Sequence, residues 1–187
     1  MKNVFIVSGA AGSGKDSIID ALQSTLPIER IITTTTRAKR PGESEGNPYY
    51  FLSPEEFEHR VENGEFAEHS INENGGRYGV THSELERITE KGGIAIWRVD
   101  WKGVISIKKL FPEIPAIYIS APIELLEARL RKRDQEKPES YFQERMAYTV
   151  EWLNHLDIYD YRVENEEGKL DDAVKQVKTI IESRLKD

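Results

Sequence analysis

Gly9-Ala10-Ala11-Gly12-Ser13-Gly14-Lys15 sets a glycine, four intervening residues, a second glycine and a lysine at the spacing of a phosphate-binding loop. A polyphosphate needs several backbone N–H donors turned inward around it, which glycine permits because it tolerates positive φ and has no Cβ in the way. A helix that starts where the loop ends adds partial positive charge and free N–H groups, and the Lys15 ammonium can reach the outer phosphates. After the lysine, where the motif offers a Ser or Thr hydroxyl to Mg²⁺, the chain has Asp16, followed by Ser17. A carboxylate is a hard oxygen donor and can take Mg²⁺ directly. Equally, Asp16 can complement the helix dipole while Ser17 or a water meets the metal. Without metal, the carboxylate would sit against a triphosphate at a cost of roughly 4 kcal/mol, for unit charges about 4 Å apart at an effective dielectric of about 20. Strict metal dependence is the expectation.

The elements around the loop fit it. Val4-Phe5-Ile6-Val7 reads as a short buried strand, and Ile18, Ile19, Ala21 and Leu22 follow at helical spacing. A β-branched strand is expected over Arg30 to Thr36, another over Tyr49 to Leu52, and then a helix with Ser53 as N-cap, Pro54 at its first position and Glu56 completing a capping box. It should stop at Asn63-Gly64. Further on, Ser83 to Lys91 reads as helix, 94–99 as strand, Val104 to Leu110 as helix and 115–120 as strand. A charged helical stretch over 123–154 breaks at 135–140, a last strand spans 157–163, and 170–185 closes as an amphipathic helix. Strands alternating with helices predict an α/β fold whose mostly parallel sheet is flanked by helices.

Composition narrows the classes. At 187 residues there is room for one well-cored domain with insertions. A net charge of −7 argues against a general nucleic-acid binder, which relies on a basic face, and favours small-ligand sites with a few arginines concentrated locally. The absence of cysteine excludes disulfides and thiolate metal sites, and the four histidines lack metal-ligand spacing. With no signal peptide or membrane span recognisable, cytoplasmic location and no membrane partner are the default expectations.

Thr35-Thr36-Arg37-Ala38-Lys39-Arg40-Pro41-Gly42-Glu43, then Gly46, Tyr49 and Phe51, resembles the nucleoside-monophosphate-binding segment of the guanylate kinase family. Gly64 to Glu68, Tyr78-Gly79, Asp100 with Gly103, Arg129-Leu130, Arg133, Arg145, Glu151, Tyr159-Asp160-Tyr161 and Asn165 match further blocks in the same order. The resemblance implies a single P-loop kinase domain with a core of 1–32, 90–122 and 150–187, a nucleoside-monophosphate-binding insert at 33–89 and a helical lid at 123–149. It implies transfer of the γ-phosphoryl of ATP to GMP or dGMP with Mg²⁺, by a monomer or homodimer. Residues 9–17 and Asn165 would serve ATP; Thr33, Arg37, Arg40, Tyr49, Glu68, Tyr78 and Asp100 would serve GMP; Lys15, Arg129, Arg133 and Arg145 would be catalytic.

The chemistry is consistent with that assignment. Forked arginines such as Arg37 and Arg40 suit a dianionic phosphate, with the Tyr49 and Tyr78 hydroxyls adding hydrogen bonds. Guanine has donors at N1 and N2, which carboxylates such as Glu68 and Asp100 accept. This chain departs from the family at Val80, in place of a hydroxyl near the base, at Pro48, in place of an acid, and at Arg98, where an acid is frequent. The alternatives are a kinase of another small phosphorylated acceptor, such as ribose 1,5-bisphosphate, and a non-catalytic guanylate-kinase-like binding module.

Overall fold

The computed structural model describes residues 3–40, 42–71 and 75–186. Pro41 of the basic turn lies outside the described residues.

Strand β1 (Val4–Ser8) is buried throughout and occupies the middle of a five-stranded sheet. Its other members are β2 (Ile28–Arg30), β8 (Ile94–Val99), β9 (Ala116–Ser120) and β10 (Tyr161–Glu164). The order is β10-β9-β1-β8-β2, and every pairing is parallel. Strand alternation divides the apolar residues between two faces. Phe5, Val7, Ile96 and Ile119 pack against α1 (Lys15–Gln23) and α7 (Leu170–Arg184). On the opposite face, Val4, Ile6 and Trp97 meet α3 (His82–Lys91) and α4 (Trp101–Leu110). Burial on both sides is why these strands read as unbroken apolar runs.

A second sheet has the order β4-β5-β3-β7-β6, from β3 (Thr33–Thr35), β4 (Ser44–Glu45), β5 (Pro48–Phe51), β6 (Phe66–Ile71) and β7 (Arg77–Thr81). It is mixed: β3 runs parallel to β5 but antiparallel to β7. Helix α2 (Pro54–Glu62) packs on it by stacking Phe57 against Phe66, with ring centroids 4.4 Å apart. Helices α5 (Ile123–Arg133) and α6 (Glu139–Trp152) are separated by a break at 134–138.

Four expectations need correcting. The run from Arg30 to Thr36 is two short strands in different sheets, because the buried Glu84 carboxylate accepts the Ile32 N–H at 2.7 Å and turns the chain between them. Strand propensity reports extended backbone and not the partner it pairs with. The last strand begins at Tyr161, after a 3₁₀ segment over Leu153–Ile158. Helix α4 starts at Trp101 because Asp100 caps it, accepting the Gly103 N–H at 2.9 Å. Finally, Ser53 does cap α2 through the Glu56 N–H, but the Glu56 carboxylate pairs with Arg60 at 2.9 Å, so the capping box is only half made.

Candidate active site

The parallel strands deliver the end of β1 to the phosphate loop. Gly14, at φ +82°, caps α1, and a Cβ there would lie 2.2 Å from the Asn165 amide nitrogen. At Gly9, a Cβ would lie 2.5 Å from the Ile119 carbonyl oxygen, so the loop hugs β9 more closely than any other residue allows. The loop is braced from behind. Asn165 Nδ2 donates to the Ser13 carbonyl at 2.8 Å and Arg129 Nη1 to the Gly12 carbonyl at 3.3 Å, which turns both oxygens away from the anion side. Ser13 Oγ is buried without a partner among the described residues.

Lys15 and Asp16 open into a cleft of about 260 Å³ between the two sheets and the helices after β9. Burial depresses the Lys15 ammonium to about 8; Asp16 opposes that fall and Arg98 adds to it. For Asp16, burial works to raise the carboxyl, but Arg98 and Lys15 outweigh it and hold it below its usual value. Arg98 Nη1 donates to Asp16 Oδ1 at 2.7 Å. That ion pair offsets part of the charge Asp16 would present to a triphosphate, which weakens the electrostatic ground for expecting strict metal dependence.

On the opposite wall, Arg37 forms a bidentate pair with Glu43 at 2.8 and 2.9 Å, and its guanidinium lies 5.2 Å from the Tyr49 ring centroid. Burial is the largest influence on Arg37 and lowers its pKa, but Glu43 more than offsets it. Tyr49 and Tyr78 meet edge to face at 6.1 Å, and both line the cleft with Arg37 and Arg40.

Deeper in, a bulge in β6 between Phe66 and Glu68 aims Glu68 into the cleft. Its Oε2 is buried without a hydrogen-bond partner among the described residues. Burial first, and then the charge of Asp100, push the Glu68 carboxyl up to about 8. Thr33 and Asp100 line the same end. Asp100 has both oxygens engaged, one capping α4 and the other accepting the Tyr148 hydroxyl at 3.1 Å. Val80 is fully buried in the core and offers nothing to the cleft. Ser70, two residues beyond Glu68 on the same face of β6, does line it. Alternation from Glu68 was the signal that could have identified Ser70.

From the helical side, Arg133 and Arg145 line the cleft, as do Tyr141, Tyr148 and Trp152 of α6. These aromatics were missed, although their spacing of about one and two turns along α6 marks one face. Arg133 is held by Asp134 at 2.8 and 2.9 Å. Arg129, Ala10, Gly12, Ser13, Gly14, Ser17 and Asn165 are not among the cleft-lining residues, whereas Gly9, Ala11, Lys15 and Asp16 are.

For a metal, Asp16 supplies an ionised carboxylate at the cleft, and no group of three acidic or histidine residues suited to a metal occurs among the described residues. That donor set fits Mg²⁺ shared with phosphates and water, which needs only one or two protein oxygens. No helix among the described residues is long and apolar enough to cross a membrane.

The family model described as Guanylate kinase matches residues 1–184. A guanylate kinase of Idiomarina loihiensis is 37% identical over 169 residues, covering 88% of this chain and 80% of the relative. One of Haemophilus influenzae is 36% identical over 185 residues, covering 97% and 88%. The crystal structure of guanylate kinase from Anaplasma phagocytophilum superposes with a TM-score of 0.75 at 26% identity, covering 99% of this chain and 87% of that one. The phosphate loop, the second sheet facing it and this breadth of similarity agree: the chain belongs to the guanylate kinase family.

Proposed function

We propose that the protein transfers the γ-phosphoryl group of ATP to GMP or dGMP, giving ADP and the nucleoside diphosphate. The observation that carries this reading is the buried, unpartnered Glu68 carboxylate at the far end of the cleft that Lys15 enters from the phosphate loop. A nucleotide whose phosphate lies near Arg37, Arg40 and the Tyr49 and Tyr78 hydroxyls would present its base to Glu68, and an ionised carboxylate there accepts the N1 and N2 donors that adenine lacks. Thr33, and Asp100 acting beside Tyr148, complete that end.

ATP would lie on residues 9–17, with Asn165 and Arg129 shaping the loop from behind. Lys15 faces the outer phosphates, and Arg133 and Arg145 approach the transferred group from the helical side. Phosphoryl transfer asks the protein mainly for alignment and neutralisation of charge on the equatorial oxygens, which these cations supply. The acceptor phosphate is already nucleophilic near neutral pH, so no general base is assigned. Asp16 would hold Mg²⁺ bound with ATP; when present, the ion neutralises phosphate charge and fixes the geometry of the donor group. Segments 33–89 and 123–149 would close on the core 1–32, 90–122 and 150–187 to exclude water and suppress ATP hydrolysis. We assign the protein to the cytoplasm, as a monomer or homodimer without nucleic-acid or membrane partners.

The test is ADP release from Mg-ATP with GMP, dGMP, AMP, UMP, CMP and ribose 1,5-bisphosphate as acceptors against an acceptor-free blank. Turnover confined to GMP and dGMP is expected. Preference for a different acceptor would overturn the substrate assignment, and silence with all of them would overturn the activity.

A further inference from the structure

Arg98 is the next-to-last residue of β8, paired in register with Val7 of β1, two residues ahead of the phosphate loop. Alternation places its side chain on the same sheet face as Ile94 and Ile96, the face that α1 covers. From there one guanidinium reaches two parts of the molecule. Nη1 donates to Asp16 Oδ1 at 2.7 Å, in the first turn of the helix that follows the phosphate loop. Nη2 donates to the Tyr49 hydroxyl at 2.5 Å, on β5 of the second sheet. Its carbon lies 5.1 Å from the Tyr49 ring centroid, and that of Arg37 lies 5.2 Å from the same centroid. The Arg98 side chain is only 19% exposed.

Cationic groups are concentrated here, held by carboxylates that keep both arginines charged. Two guanidinium groups lie near one phenol ring, Lys15 lines the same cleft, and Arg98 is one of the charges that depress the Lys15 ammonium. Two carboxylates, Asp16 and Glu43, bond directly to these arginines. A phosphate dianion placed among them would meet donors already oriented by packing, and a guanidinium has five N–H donors in a fixed fork, of which the two hydrogen bonds named above use two.

We propose that Arg98 is a phosphate-contacting residue that spans the junction between the donor and acceptor subsites. It binds the acceptor phosphate from beneath and aligns it with the γ-phosphoryl group held at Lys15. The inference rests on the GMP kinase reading above. In this arrangement Asp16 masks the Arg98 charge in the empty cleft and yields part of it when the acceptor phosphate enters, while Tyr49 keeps the guanidinium plane facing the junction.

The test compares binding of GMP with binding of guanosine, which has the same base and sugar but no phosphate, by titration calorimetry without ATP or metal, alongside steady-state kinetics. For Arg98→Gln, the preference for GMP over guanosine is expected to fall about tenfold or more, with guanosine affinity within about twofold of wild type and kcat reduced about 30-fold or more. Arg98→Lys should recover part of the GMP preference through its charge but not kcat, because an ammonium lacks the fork. Should Arg98→Gln fail to fold, Asp16→Asn gives an independent reading: unmasking Arg98 should raise the GMP preference about threefold or more. An unchanged preference together with kcat within about twofold of wild type in Arg98→Gln would overturn the proposal, as would an unchanged preference in Asp16→Asn. If the wild-type protein neither binds nor phosphorylates GMP, the kinase reading itself fails and takes the proposal with it. That outcome is told apart from the others by the wild-type titration alone.

Discussion

Arg129 Nη1 donates to the Gly12 carbonyl oxygen at 3.3 Å and to that of Asn165 at the same distance, so this arginine grips the phosphate loop from outside the cleft. Arg133, one helical turn on, lines the cleft itself. Two arginines four residues apart on α5 therefore face different surroundings.

Their alanine variants should separate accordingly. Arg129→Ala is expected to raise KM for ATP several-fold with a smaller effect on kcat, since it loosens the loop that holds the donor. Arg133→Ala should cut kcat by about 10²-fold or more, as removal of a donor to the transition-state oxygens does. Steady-state kinetics with ATP varied at saturating GMP checks both, and equal kinetic signatures would refute the distinction.

Glu68 links stability to pH. Its folded-state carboxyl titrates at about 8, well above its ordinary value of 4.5, so the folded protein binds the extra proton between those limits and stability declines as pH rises through that window. Glu68→Gln should be close to wild type in thermal stability near pH 5 and more stable by a few kcal/mol at pH 8.5. Thermal unfolding across that range tests the sign.

On the proposed reading, ionised Glu68 is the form that accepts guanine's donors. GMP binding at pH 7 should therefore release close to one proton, and guanosine binding should do the same, since the base and not the phosphate drives the release. Calorimetry in buffers of different ionisation enthalpy counts the protons. In Glu68→Gln the release should disappear and GMP affinity should fall about tenfold or more.

Lys15 carries a depressed ammonium, lowered to about 8 chiefly by burial. Its contribution opposes folding below that value and fades as pH rises toward 10.5. Lys15→Met should thus leave the free protein at least as stable as wild type at pH 7 while reducing kcat by about 10²–10³-fold or more. Thermal unfolding and turnover measured on one preparation test the pair.

Asp16→Ser should retain substantial activity but change the Mg²⁺ concentration needed for half-maximal rate. An unchanged Mg²⁺ titration would show that the carboxylate does not touch the metal and serves Arg98 alone.

Local chemistry made much of this protein legible from the chain. The phosphate loop needs only seven consecutive residues, because glycine conformations, a following helix terminus and a lysine act within one turn. The alternation of apolar strands and helices likewise exposed the parallel sheet, since burial on both faces imposes it residue by residue. What the chain could not disclose are contacts made across long separations. Arg98 meets Asp16 over 82 positions and Tyr49 over 49, and neither pairing has a local signature. The bulge that aims Glu68, the withdrawal of Arg129 behind the loop and the division of 30–36 between two sheets all depend on which strands and helices finally adjoin. Periodicity states which side of an element is buried; only tertiary packing decides what that side, or its opposite, comes to face.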